Sequence, residues 1–182
     1  MTDRSTRAFA ADIEIRSTFG GGRTVAGIVA PFNSPATISD DLGTYVETIA
    51  PGAFARTITE RGVGRVKLLT LHDRTLLPIG KAMVLREESA GLYGEFNIAM
   101  TDRGDEAIAL ISNGAIDSFS IGFRSIRDRW NARRTERTLL EIRLDEVSLV
   151  WQPAYEAARI TALRSKAPTL TAAYKRLHDL RK

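Results

Sequence analysis

Residues 118–123 have the sequence S-F-S-I-G-F, in which apolar residues alternate strictly with small ones. The apolar members are Phe119, Ile121 and Phe123. Side chains in a β-strand point to opposite faces with a period of two, so these three can enter a core while Ser120 stays outside it. The stretch therefore predicts a strand that presents a hydroxyl on the face that its apolar residues leave free.

Two other stretches follow the same pattern and present different reactive groups. One presents the imidazole of His72 and the other presents the carboxylate of Glu146. The period of two predicts that all three reactive side chains lie outside the core, where they can converge. The apolar residues that alternate with the imidazole and the carboxylate are Leu69, Leu71, Val147 and Leu149.

A hydroxyl, an imidazole and a carboxylate are the functional groups of a serine hydrolase. The hydroxyl attacks a carbonyl usefully only when a nearby base takes its proton, and histidine suits that role near neutral pH. The chain has two histidines, and His178 lies in a basic C-terminal stretch where a surface role is expected. We therefore predict Ser120 as nucleophile and His72 as base. Ser118 is the reserve nucleophile, and Gly122 is expected to leave room for a substrate backbone.

The acid that orients the base has two adjacent candidates, Asp145 and Glu146. Strand parity places Asp145 on the apolar face and favours Glu146, with Ser148 beside it. Asp73 follows His72 directly and points away from it, so it is a weaker candidate.

Composition limits the class of protein. The chain has 182 residues, of which 43% are hydrophobic and 26% charged, which suits one globular domain with short appendages. It has no cysteine, so a thiolate metal site and a disulfide framework are excluded, and no metal or cofactor is expected. No run of about 18 apolar residues is present, so no membrane association is expected.

Net charge is +4, which does not call for nucleic acid as a partner. We interpret the arginine-rich stretch after Ser120 as a solvated loop that suits an acidic protein partner, because Asp128 and Glu136 interrupt it. Its arginines are Arg124, Arg127, Arg129, Arg133, Arg134 and Arg137.

The overall pattern predicts an α+β fold, a mostly antiparallel closed β-barrel surrounded by helices. Residues 1–11 are expected to form a loose arm. A short helix is expected after Pro51 and a longer one between Thr101 and Gly114. Strands are expected near residues 12–16, 25–32, 44–49, 66–72, 79–87, 91–99, 116–126 and 139–151, and two C-terminal helices at residues 154–163 and 170–180.

The chain resembles the prohead (capsid maturation) serine proteases of tailed bacteriophages and related gene-transfer particles, over residues 24–160. The resemblance is carried by an ordered set of motifs. They are G-I-V-A-P-F-N (27–33), Y-V-E-T-I-A-P-G-A-F (45–54), L-L-T-L-H-D (68–73), P-I-G (78–80), G-L-Y-G-E-F (91–96), S-F-S-I-G-F (118–123) and L-D-E-V-S-L-V-W-Q-P-A (144–154).

This resemblance implies a fold similar to that of herpesvirus assemblin, with Ser120 as nucleophile and His72 as base on adjacent strands. In assemblin the third member is a second histidine, whereas the matching strand here carries Glu146. For the oxyanion hole we predict backbone N–H groups near residues 154–155, assisted by Arg124 or Arg143.

The resemblance also implies the biological setting. The expected function is cleavage of the scaffolding segment of the major capsid protein, and of the protease itself, inside the assembling prohead in the host cytoplasm. Self-association is expected, and a non-catalytic scaffold-binding capsid assembly factor is the alternative. We predict an N-terminal arm and first strand (1–23), a protease domain (24–163) and a basic helical tail (164–182), which is the expected site of autocleavage.

Overall fold

The computed structural model describes residues 5–10, 14–16 and 23–151. Within these ranges the chain forms ten strands, one α-helix, a π-helical turn at Thr57–Arg61 and a 3-10 turn at Val63–Arg65. The strands are β1 (Ser5–Ala10), β2 (Glu14–Arg16), β3 (Thr24–Pro31), β4 (Ala36–Asp40), β5 (Gly43–Ile49), β6 (Lys67–Thr70), β7 (Gly80–Glu88), β8 (Gly91–Ile98), β9 (Ser118–Trp130) and β10 (Glu136–Val150), and the helix is α1 (Asp102–Ser112).

All ten strands belong to one curled sheet organised around β10. The main path has the order β1-β9-β10-β6-β7-β8-β3-β2, and β4 and β5 branch from it. Strand β10 pairs antiparallel with β9 along one edge, and its other edge pairs in parallel with β5 and then with β6. The other strand pairs are antiparallel. β10 therefore places β6 and β9 on its two sides at the same level.

The core lies on the concave side of the sheet. Phe119, Ile121 and Phe123 of β9 are fully buried there, and the Phe119 ring lies 5.6 Å from that of Phe96 on β8. Helix α1 packs Ala107 against the same core. Removing this apolar surface from water is the main force that curls the sheet around its contents.

Helix α1 matches its prediction in position and in both of its end signals. The Thr101 hydroxyl accepts a hydrogen bond from the Gly104 N–H at 3.2 Å, which caps the first turn. Beyond the last turn, Gly114 has a φ of 79°, a conformation that glycine adopts without steric cost. No helix in the described part of the chain is long and apolar enough to cross a membrane.

The predicted strands are found with small shifts in their ends, but two expectations about the strands differ from the structure. Residues 5–10 are not part of a loose arm, because β1 pairs with β9. Strand β4, which forms a hairpin with β5, was not predicted. The described residues form a curled sheet, and a closed barrel surrounded by helices stays a prediction. The helices predicted at residues 154–163 and 170–180 lie outside the described residues.

The arginine-rich stretch is a β-hairpin and not a loop. Strand β9 continues through it to Trp130, and β10 begins at Glu136. Arg137 is buried and contacts the carboxylates of Glu47 and Asp128. The arginines of this hairpin that are exposed are Arg127, Arg129, Arg133 and Arg134.

Candidate active site

Three side chains from separate parts of the sequence are joined in series by hydrogen bonds. His72 Nε2 lies 2.5 Å from Ser120 Oγ, and His72 Nδ1 lies 2.8 Å from Glu146 Oε1. A carboxylate only accepts, so Nδ1 carries the imidazole proton and Nε2 is left to accept the proton of the serine hydroxyl. The structure thus brings together all three residues that were predicted as catalytic.

The pairing of β9 with β10 sets two members of this series side by side. Ser120 lies opposite Ser148 in the register, and Gly122 lies opposite Glu146. Both strands direct their large apolar side chains to the core, so the hydroxyl and the carboxylate project from the other side of the sheet. Strand parity was therefore a correct guide to these two side chains.

Parity was wrong for His72, which lies in a tight turn and not in a strand. Strand β6 ends at Thr70, and the Asp73 N–H donates to the Thr70 carbonyl at 3.0 Å. Leu71 and His72, the two central residues, have φ values of 52° and 58°. Two successive positive φ values define a type I′ turn, which reverses the chain sharply and aims the imidazole back over β9 and β10. Leu71 was predicted to enter the core, but it is about half exposed.

The site-facing side of the sheet is covered, contrary to the expectation of a free face. Ser120 is fully buried and Glu146 is 3% exposed, whereas the side chain of His72 is 23% exposed. The imidazole contacts both of the other groups and is the most exposed of the three. A cavity of about 300 Å³ lies beside the turn, and its lining includes Leu71, Arg103 and Trp151.

The carboxylate of Glu146 occupies the room that Gly122 provides. A Cβ at Gly122 would lie 2.0 Å from Glu146 Oε1, so any side chain there would collide with the carboxylate. The space predicted for a substrate backbone is therefore filled by the acid itself. Two more groups contact this carboxylate, the Ser148 hydroxyl at 2.8 Å and the Arg74 guanidinium at 3.6 Å.

Asp145, the alternative acid, has different neighbours. It falls at a β-bulge, where the register between β9 and β10 shifts from Leu144 to Glu146. Its carboxylate contacts the guanidinium groups of Arg61 at 3.0 Å, Arg124 at 3.2 Å and Arg143 at 3.6 Å. The two arginines that were expected to assist the oxyanion hole therefore both contact Asp145. Residues 154–155, the other part of that prediction, lie outside the described residues.

Ser118, the reserve nucleophile, and Asp73, the weaker candidate for the acid, form hydrogen bonds with residues other than His72, Ser120 and Glu146. The Ser118 hydroxyl donates to Asp117 at 2.7 Å. The Asp73 carboxylate accepts from the hydroxyl and the backbone N–H of Thr75, and these hydrogen bonds hold the pKa of Asp73 below its ordinary value. The two ring nitrogens of His72 instead contact Glu146 and Ser120. In the described ranges, no cluster of three or more His, Asp or Glu side chains could hold a metal ion.

Two groups around the carboxylate had no predicted role. Ser148 was expected on the same face as Glu146 but without a hydrogen bond to it, and Arg74 was not expected near the site. The signal for Ser148 was its spacing of two residues from Glu146. Nothing in the sequence pointed to Arg74, because only the reversal of the chain at Leu71 and His72 brings it near β10.

A hydroxyl, an imidazole and a carboxylate joined in this order form the type of site found in serine hydrolases. Here the site stands on the convex side of a curled, mostly antiparallel sheet. A family model described as caudovirus prohead serine protease matches residues 11–172. The chain belongs to this family, which confirms the resemblance seen in the sequence motifs.

Individual relatives agree with this assignment. Over 95 residues the chain is 33% identical to the prohead protease of Escherichia phage T5, a match that covers 52% of this chain and 44% of the T5 protein. The matched region thus spans less than half the length of that relative. The structure of the bacteriophage T4 capsid assembly protease superposes with a TM-score of 0.55 at 15% identity, covering 82% of this chain and 96% of the T4 chain. At this identity the likeness shows a shared fold.

Proposed function

We propose that this chain is a serine endopeptidase that cleaves capsid scaffold segments within the assembling prohead. The observation that carries the proposal is the position of His72, whose two ring nitrogens contact Ser120 and Glu146 at the same time. Family membership supports proteolysis as the reaction and the prohead as its setting.

The proposed reaction is acyl transfer through a covalent intermediate. Ser120 Oγ attacks the scissile carbonyl while His72 Nε2 takes its proton, and Glu146 stabilises the imidazolium that forms. His72 then gives the proton to the leaving amine, and the C–N bond breaks. Water, activated by the same imidazole, releases the acyl group from Ser120 and restores the hydroxyl. These steps need no metal or cofactor.

We propose the major capsid protein's scaffolding segment as the substrate and the protease's own basic tail, residues 164–182, as a second cleavage region. The names of the T5 and T4 relatives place those proteins in prohead or capsid assembly. The exposed arginines of the β9–β10 hairpin offer an acidic segment a surface to dock on. Self-association within the prohead belongs to the same proposal.

Co-expression with the cognate capsid protein tests this function. We expect the wild-type chain to shorten the capsid protein, as measured by intact mass, and Ser120→Ala to leave it whole. Ser120 and His72 act as a unit, so losing either should lower the rate by about six powers of ten, and Glu146→Gln by about four. The protease's own mass reports whether residues are lost from its tail.

Ser118→Ala is the matched control, because Ser118 is a buried serine on the same strand and contacts Asp117. It should cleave like the wild type. Cleavage by the Ser120→Ala variant at the wild-type rate would contradict the assignment of the nucleophile.

A second candidate function is that of a non-catalytic, scaffold-binding assembly factor. The complete burial of Ser120 favours it, since a substrate carbonyl reaches the hydroxyl only after its surroundings move. This function predicts that the wild type and Ser120→Ala bind the capsid protein equally and that neither shortens it. The same co-expression experiment therefore separates the two functions.

A further inference from the structure

Ser148 is a fully buried serine that the proposed reaction does not use. It lies on β10 two residues after Glu146 and directly opposite Ser120 in the register. Its hydroxyl forms hydrogen bonds with the backbone N–H of His72 and with the carboxylate of Glu146. The Ser148 hydroxyl therefore lies between the main chain of His72 and the carboxylate of Glu146.

The hydrogen bonds of Ser148 can have only one direction. The backbone N–H of His72 donates to Ser148 Oγ at 3.1 Å, because an N–H group can only donate. The hydroxyl has a single proton, which it donates to Glu146 Oε2 at 2.8 Å. Ser148 therefore links the main chain of the base to the carboxylate of the acid.

The hydrogen bond from the His72 N–H to Ser148 acts on the turn at Leu71 and His72, which has the most strained backbone of the site. His72 and Leu71 both have a positive φ, a conformation that carries a steric cost for residues with a Cβ and persists when the surroundings hold it. Ser148 provides one of the contacts that hold it. The same hydroxyl fixes Oε2, which leaves Oε1 aimed at His72 Nδ1.

We propose that Ser148 is a positioning residue that sets the His72 imidazole and the Glu146 carboxylate in register with each other. This inference rests on the proposed function for its effect on the reaction rate, while its structural content stands apart from it. Without the hydroxyl, the His72 N–H and Glu146 Oε2 each lose a hydrogen bond to the buried Ser148 Oγ. The turn and the carboxylate are then free to shift independently.

Kinetics of Ser148→Ala provide the first test. We expect kcat to fall about 10- to 100-fold, because small displacements of reacting groups have effects of this size. KM should change less than twofold, since the hydroxyl is fully buried and its hydrogen bonds go to His72 and Glu146. The matched control is Ser118→Ala. Ser118 is also a fully buried serine and lies on β9, on the same side of the sheet as Ser120, so this variant should keep the wild-type kcat. Ser148→Cys, which is close to serine in size and a poor hydrogen-bonding group, repeats the test if the alanine variant unfolds.

The imidazole N–H resonances of His72 provide a second test that does not need turnover. The chain has two histidines, so a His72→Gln variant assigns the signals. In the wild type we expect a downfield Nδ1–H resonance from the hydrogen bond to Glu146. It should broaden or disappear in Ser148→Ala and Ser148→Cys, and persist in Ser118→Ala.

The two tests separate the inference from the proposed function. An unchanged resonance together with an unchanged kcat in both Ser148 variants would overturn the positioning role. A wild type that cleaves nothing, but loses the resonance when Ser148 is replaced, would uphold the positioning role and count against proteolysis.

Discussion

Gly122 shows how the absence of a side chain can shape an active site. The Glu146 carboxylate occupies the volume that a Cβ would need, and the Arg74 guanidinium approaches the same point, 2.9 Å from where that Cβ would lie. Only glycine lets the carboxylate lie under the imidazole in this way. The contribution of Gly122 to the site is therefore steric.

Gly122→Ala should displace the Glu146 carboxylate and break its alignment with His72 Nδ1. We expect kcat to fall at least 10-fold, because the imidazolium loses its stabilising partner, as measured by capsid protein cleavage. Gly64→Ala is the control, since a Cβ at Gly64 meets no atom within 4 Å and Gly64 lies in the 3-10 turn away from the triad. Equal rates for the two variants would show that the carboxylate does not need this space.

At the scale of elements, a buried ionic network joins strands that are distant in sequence. Glu47 on β5 is 1% exposed and accepts from Arg7 of β1 at 2.6 Å and from Arg137 of β10 at 3.2 Å. The neighbouring Tyr45 hydroxyl donates to Asp40 at 2.7 Å, and burial together with this carboxylate raises the Tyr45 pKa above its ordinary value. The network anchors β1, the edge strand beside β9, to the rest of the sheet.

Glu47→Gln should destabilise the protein by about 3 kcal/mol, because it leaves two buried guanidinium groups without their shared anion. The free energy of unfolding in urea measures the effect. Glu60→Gln is the control, since Glu60 pairs with Arg56 on the surface, where both side chains are 62% exposed, and a change below about 0.5 kcal/mol is expected. Equal losses of stability in the two variants would mean that the buried network contributes no more than a surface ion pair.

The same elements show what sequence could predict and what it could not. Ser120 and Glu146 were placed on the correct side of the sheet because β9 and β10 pair without a register shift from Glu146 to Val150, and strand parity needs only local information. The turn at His72 could not be predicted from parity, since parity assumes an extended strand and leucine, the first of its two central residues, rarely adopts a positive φ. Strand β4 could have been predicted, because the apolar Ala36 and Ile38 alternate with the polar Thr37 and Ser39 in the sequence.

Long-range features were beyond sequence reasoning. Strand β1 pairs with β9, and its Arg7 contacts Glu47, which is 40 residues away, and no local pattern indicates either contact. The contact of Arg74 with Glu146 likewise depends on the fold bringing β6 beside β10. The family motifs identified the strands that carry the site, whereas the hydrogen bonds and the burial of Ser120 came from the structure.

Across the whole molecule, the proposed proteolysis depends on His72 activating the hydroxyl of Ser120. A fluorophosphonate reacts covalently with a serine hydroxyl that an adjacent base has activated, so peptide mapping after labelling reports the nucleophile directly. We predict one adduct, on Ser120, that is absent from the His72→Ala variant and unchanged in Ser118→Ala. An adduct on a different serine, or labelling of Ser120 that persists without His72, would contradict the account.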